Sequence, residues 1–154
     1  MGNRKRCWNT VLTVLLVSTL CFIWGNSLLD REESSDLSQG ILAQLAPLIE
    51  GLGLDTQDDH WLRKLAHFLE FALLGGELIL LFYVNAGARM RNFCGAAGIS
   101  FLVAASDETL QLFTGRGAQV RDVLLDFSGA LTALLLAALV LQIIGRRKEI
   151  KPEA

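Results

Sequence analysis

A chain of 154 residues, 52% of them hydrophobic, with a mean hydropathy of +0.42, is more apolar than the roughly 45–50% typical of soluble domains. The excess sits in blocks, which excludes an ordinary soluble globule and indicates an all-α membrane protein. The net charge of −2 hides segregated signs and gives no reason to expect a nucleic-acid partner.

Arg4, Lys5 and Arg6 precede an apolar run over residues 8–25. A secretory signal would share that pattern, but the run is about eighteen residues long and no A-x-A site follows. A first transmembrane helix is therefore expected, with Trp8 and Trp24 at its two interfaces. Cys7, Cys21 and Cys94 lie in or beside apolar blocks without CxxC or Cys/His spacing, so buried structural thiols are expected rather than a zinc site or disulfides.

Residues 26–60 form an acidic external loop, with Asp30, Glu32, Glu33, Asp36, Glu50, Asp55, Asp58 and Asp59 against Arg31 alone. Inside it, Leu37, Ile41, Leu45, Leu48, Ile49 and Leu52 recur at helical spacing. Ser34, Ser35 or Asp36 would cap that helix, and Gly40 and Pro47 should keep it short or kinked, lying on the membrane surface.

A second span is expected over residues 61–84. Lys64, His67, Glu70 and Glu77 follow at spacings of three, three and seven, on roughly one side of a helix. Gly75 and Gly76 would allow close helix contact. After a short turn with Arg89 and Arg91, a third span over residues 93–113 carries Asp107, Glu108 and Gln111 in its last turns. Gly115 and Gly117 suit a tight connection, and a fourth span covers residues 121–145, followed by Arg146, Arg147 and Lys148. The expected architecture is a four-helix transmembrane bundle forming one domain over residues 1–154.

Nine of the fourteen bases fall on one side of this topology, which the positive-inside rule makes cytoplasmic together with both termini. The polar groups of the second, third and fourth helices then converge near the outer surface. Asp107 and Gln111 share a face at i,i+4, and so do Asp122 and Asp126. Gly129 and Ala133 continue the latter face as a small-residue stripe that suits close packing on a neighbour. Ionisable groups at such depth suggest a functional site, against the plainer alternative of ion pairs that only hold the bundle in register.

In chemical terms, His67 with Glu70 or Glu108 suits general acid/base work, and Asp107 belongs to the same catalytic group. Arg116 and Arg121 suit a phosphate at headgroup depth, with Lys64, Gln111, Asp122 and Asp126 completing a substrate-binding set. His67, Glu70, Asp107 and Glu108 offer oxygen and nitrogen ligands, yet no HExxH or paired-His pattern supports a metal, and none is expected. No cofactor is indicated. Glu77 lies deeper, as a buried protonated acid or an element of a proton relay. The external serines read as turn and cap residues rather than nucleophiles.

Two stretches carry a resemblance. RKLAHFLEFALLG is similar to the K-x-x-H-F-x-E-[YF] pattern of the VanZ-like family, matched by Lys64, His67, Phe68, Glu70 and Phe71. SDETLQLFTGRGAQVRDVLLDFSGA resembles that family's D-E-x-x-Q-x-F…G-R…D-x-x-x-[ND]-x-x-G pattern through Asp107, Glu108, Gln111, Phe113, Gly115, Arg116, Asp122, Asp126 and Gly129. Phe71 stands where Tyr is common, Leu110 where many members have His, and Thr114 where Pro often precedes Gly-Arg. The resemblance implies a four-helix integral membrane protein from a bacterial family associated with teicoplanin resistance. The expected partner is a membrane lipid or lipid-linked envelope precursor, bound or modified at the outer leaflet. A non-catalytic scaffold that shields such precursors or binds other membrane proteins is the alternative.

Overall fold

The computed structural model describes residues 2–51, 60–87 and 89–150, leaving out the side chains at 31, 45, 48–50 and 145–150. Part of the expected surface-helix stripe (Leu45, Leu48, Ile49, Leu52), four of the loop acids (Glu50, Asp55, Asp58, Asp59) and the terminal bases Arg146, Arg147 and Lys148 thus lie outside the described side chains. Among the described residues the elements are five helices: α1 (Gly2–Ser27), α2 (Arg31–Gly51), α3 (His60–Ala86), α4 (Met90–Phe113) and α5 (Val120–Ile150).

Three of these helices are long and apolar enough to cross a membrane, over Asn3–Ser27, His60–Ala86 and Val120–Ile144. The expected fourth, α4, does not join them on composition. Its 24 residues would reach about 36 Å at 1.5 Å per residue, but its polar side chains are concentrated on one face. That face is the buried one, with Asn92, Ala96, Ser100, Ala104, Asp107, Glu108 and Gln111 turned inward. Ile99, Phe101, Leu102 and Phe113 are exposed. The usual arrangement of a soluble helix is inverted here.

The core is built mainly from α3 (Phe71, Leu74, Leu78, Ile79), α4 (Ala96, Val103, Ala104) and α5 (Ala130, Leu134), with Ile23 from α1. The α3–α5 pair is the tightest contact. A methyl group added at Gly75 would come within 2.5 Å of the Ala130 carbonyl oxygen, and one at Gly129 would collide with the Phe68 carbonyl. Small residues thus let the two backbones touch, as in membrane helix pairs where close packing replaces the hydrophobic drive. Gly76 takes no part, since a side chain there would meet nothing within 4 Å. It points away because it is one residue, about 100°, around the helix from Gly75.

Two further sequence expectations need correction. The segment after α1 contains a helix of 21 residues, with Pro47 inside it, rather than a short one. It begins earlier than expected because Asp30, not Ser34, Ser35 or Asp36, caps it. Asp30 Oδ1 accepts from the Glu33 amide at 2.9 Å while Glu33 Oε2 accepts from the Asp30 amide at 3.2 Å, a reciprocal capping box. Leu42 from this helix is buried. The three cysteines are exposed on outer helix faces rather than buried, alongside apolar side chains such as Val14, Phe22, Leu73 and Leu136.

The two ends of the bundle differ. At one, Asn9 Nδ2 donates to Asn85 Oδ1 at 2.7 Å and Lys5 Nζ lies 3.5 Å from the Asn85 carbonyl, next to the α3–α4 turn with Arg89 and Arg91. The opposite end collects the C-terminus of α1, the start of α3, the end of α4 and the start of α5. Between them, Thr19 Oγ1 donates to Glu77 Oε1 at 3.0 Å in the buried α1–α3 contact.

Candidate functional site

At the second end, four helices deliver polar side chains to one level. α4 contributes Asp107, which is fully buried and held from two sides. Ser27 Oγ, on the last turn of α1, donates to Asp107 Oδ1 at 2.6 Å, and Gln111 Nε2 donates to Oδ2 at 3.0 Å. The i,i+4 spacing of Asp107 and Gln111 makes the second bond available within one helix. His67 of α3 faces this carboxylate, its Nδ1 3.9 Å from Asp107 Oδ2 and 4.0 Å from Oδ1 of Asp126 on α5. Asp126 is 1% exposed.

α4 stops where Gly115 takes a left-handed φ of +71°. The Arg116 amide then reaches back to the Gln111 carbonyl at 3.2 Å, the closure of a Schellman motif. Gly117, at φ +82°, turns the chain again. This double turn fixes the base of the Arg116 side chain, whose Nη1 donates to the Asn26 carbonyl at 3.1 Å. Burial first, then the neighbouring Arg63 cation, push the Arg116 guanidinium below its ordinary value, while Asp107, Glu108 and Glu70 work in the other direction. A guanidinium stays protonated through such shifts, so the site keeps a fixed cation. Glu108 Oε1 accepts from the Gln119 amide at 2.6 Å, tying α4 to the entry of α5.

A cavity of about 250 Å³ opens among these groups, lined by His60, Arg63, Lys64, His67, Glu108, Gln111, Arg116, Gln119, Asp122 and Asp126. Lys64 Nζ lies 3.9 Å from Asp122 Oδ1 at its more exposed rim. A second, largely apolar groove of about 350 Å³ runs between α1, α2 and α3 and shares Arg63, His67 and Arg116 with the first. Phe22, Leu37 and Ile41 on its wall are exposed.

Most of the residues singled out from the sequence are therefore brought together, but with different partners. The carboxylates paired with His67 are Asp107 and Asp126, whereas Glu70 accepts from Asn26 Nδ2 at 2.9 Å and Glu108 from Gln119. Glu70 belongs to the apolar groove rather than the first cavity. Arg121 is exposed and does not line either space. Ser27, Asn26, Arg63 and Gln119 also belong to the site, and spacing does not single them out. Asn26 and Ser27 are the polar pair that closes the apolar run of α1, at the depth where the other polar clusters sit, and that coincidence is their sequence signal.

Helices with outward apolar and inward ionisable residues, gathered around a polar cavity at one end, define a helical membrane protein with a buried polar site. The VanZ/LLP1 family pattern matches residues 11–141, and the chain belongs to that family. No curated protein and no solved structure matches it.

Proposed function

We propose that this protein binds, and acts on, a lipid whose headgroup carries phosphate, taken from the outer leaflet of the bacterial membrane. The observation that carries this reading is the adjacency of two spaces at shared residues. A polar cavity with Arg63, Lys64 and Arg116 on its wall adjoins an apolar groove, the two sharing Arg63, His67 and Arg116. Guanidinium forks suit phosphate oxygens, and a groove beside them with an exposed apolar wall suits an acyl or polyprenyl chain. A water-soluble phosphate would have no use for the groove.

In this reading α4 crosses the membrane with α1, α3 and α5, sheltering its polar face against them. The base-rich end lies in the cytoplasm by the positive-inside rule, as do the termini, and the site faces outward. Arg116 clamps the anion, Lys64 and Asp122 form the rim, and His67, flanked by Asp107 and Asp126, exchanges a proton with the ligand. Glu108 holds the floor of the cavity to α5. A ligand that is a cell-wall precursor would connect this site to the glycopeptide resistance associated with the family.

The test is a strain lacking the gene, complemented with wild type, Arg116→Gln or Glu108→Gln at matched membrane levels. Lipid mass spectra should show at least one phosphate-bearing species that returns to normal with wild type and stays altered with both variants. Purified Arg116→Gln should bind a polyprenyl phosphate about tenfold more weakly, the equivalent of ~1.4 kcal/mol for a lost charge-assisted pair. If binding falls with Arg116→Gln but spectra are normal with both variants, the protein shields its lipid without changing it. Unchanged binding and unchanged spectra would sink both forms of the proposal.

A further inference from the structure

We infer that His67, Asp107 and Asp126 form a site for one divalent transition-metal ion. The three residues come from three different helices, α3, α4 and α5, and each offers a ligand atom such that all three atoms lie within 4.8 Å of one another. This is more than an acidic cluster. His67 Nδ1 and Asp126 Oδ1 point at each other across 4.0 Å, both buried and both without a hydrogen-bond partner, and Asp126 is 1% exposed. Buried polar atoms are nearly always satisfied, so a facing pair of this kind calls for something between them.

The surroundings are those of a ligating shell. Asp107 is oriented by Ser27 and Gln111 through bonds of 2.6 and 3.0 Å, the kind of outer support that fixes a ligand carboxylate and tunes its affinity. Two carboxylates and a neutral imidazole supply two negative charges, which one divalent ion neutralises. A single nitrogen with two oxygens suits Mn²⁺ or Zn²⁺ better than Ca²⁺ or Mg²⁺, which favour oxygen alone. Bonds of about 2.1 Å place tetrahedral ligand atoms about 3.4 Å apart, so the spacings of 3.9 and 4.0 Å from His67 close by about half an ångström on binding, and the third, between Asp107 and Asp126 and within 4.8 Å, by at most about 1.4 Å. His67 and Asp126 also line the 250 Å³ cavity, which leaves the remaining coordination positions facing open space. Three protein ligands with an accessible fourth position is the pattern of a working metal rather than a closed structural one.

The inference is independent of the lipid, and its test uses the ion alone. The full-length protein in detergent, stripped with chelator, is titrated with Mn²⁺ while electron paramagnetic resonance follows the free ion, and Zn²⁺ content is measured separately by mass spectrometry after dialysis. One ion per chain is expected. Asp126→Asn and His67→Gln should each weaken binding at least tenfold, whereas Glu77→Gln, in the deeper α1–α3 contact, should bind like wild type. Circular dichroism and gel filtration of each variant separate loss of ligand from loss of fold. Wild-type protein that takes up less than a tenth of an equivalent of either ion overturns the inference without any variant. So does undiminished binding by folded Asp126→Asn and His67→Gln, and the assignment of a phosphate-lipid ligand would survive either result.

Discussion

Gly129→Leu should leave little natively packed protein. At this position the α5 backbone rests on the Phe68 carbonyl of α3, and even a methyl group would collide with it. A carbonyl inside a helix has no rotamer by which to give way, so the helices must separate. Overpacking of a close-packed core ordinarily costs about 1–3 kcal/mol, and a clash against backbone lies at or above the top of that range. Separation also forfeits the neighbouring close approach of Gly75 to Ala130. Because Phe68 follows His67 and Gly129 lies one turn from Asp126, the displacement falls on the polar site as well. Thermal unfolding in detergent should show a lowered or absent transition for Gly129→Leu, while Gly76→Ala, which meets nothing within 4 Å, stays close to wild type. Equal melting of Gly129→Leu and wild type would refute the contact.

The second large effect belongs to Asp107. Asp107→Ala removes the acceptor of both the Ser27 hydroxyl and the Gln111 amide and leaves a hole in a fully buried position. Each stranded donor costs about 1–2 kcal/mol, so the loss should reach about 2–4 kcal/mol. Asp107→Asn keeps the shape and an acceptor for Ser27, and should cost less than half as much. Both variants remove the charge that faces His67, so both should fail to restore the lipid profile of the deletion strain. The comparison separates the two roles: a graded loss of stability read by unfolding, with an all-or-none loss of function. If Asp107→Asn restored the profile fully, the charge would have no part in function.

The apolar blocks made the spanning helices legible, and short-range spacing made much of the site legible too. Asp107 with Gln111, and the Asp122–Asp126 face leading into Gly129, follow from helix periodicity alone. What spacing does not encode is the rotation of one helix against another. Spacing pairs His67 with Glu70 or Glu108, whereas the packed helices set its Nδ1 3.9 Å from Asp107 and 4.0 Å from Asp126. Ser27 and Asn26 gain their roles only from how the end of α1 docks against α3 and α4. The extent of α2 is not legible from Gly40 and Pro47, which weaken a helix, because the capping box at Asp30 starts it earlier and Pro47 sits inside it. An apolar block does not tell interior from exterior for the cysteines, because in lipid the outer face is apolar as well and all three lie on it.

The inverted face of α4 also has a consequence for biosynthesis. With Asp107 and Glu108 exposed, this helix alone is a poor candidate for partitioning from the translocon into lipid, because an acidic residue costs about 2.5–3.5 kcal/mol at the centre of a span and these two, one to two turns from the end of α4, keep part of that cost. It becomes acceptable only when α3 and α5 cover those carboxylates. α4 should therefore linger at the translocon until α5 has emerged, rather than enter the bilayer by itself. A chain terminated and released after residue 118, carrying an engineered glycosylation acceptor near its end, should show incomplete membrane integration of α4, and extension through residue 145 should complete it. Full integration of the shorter chain would mean that α4 needs no such help.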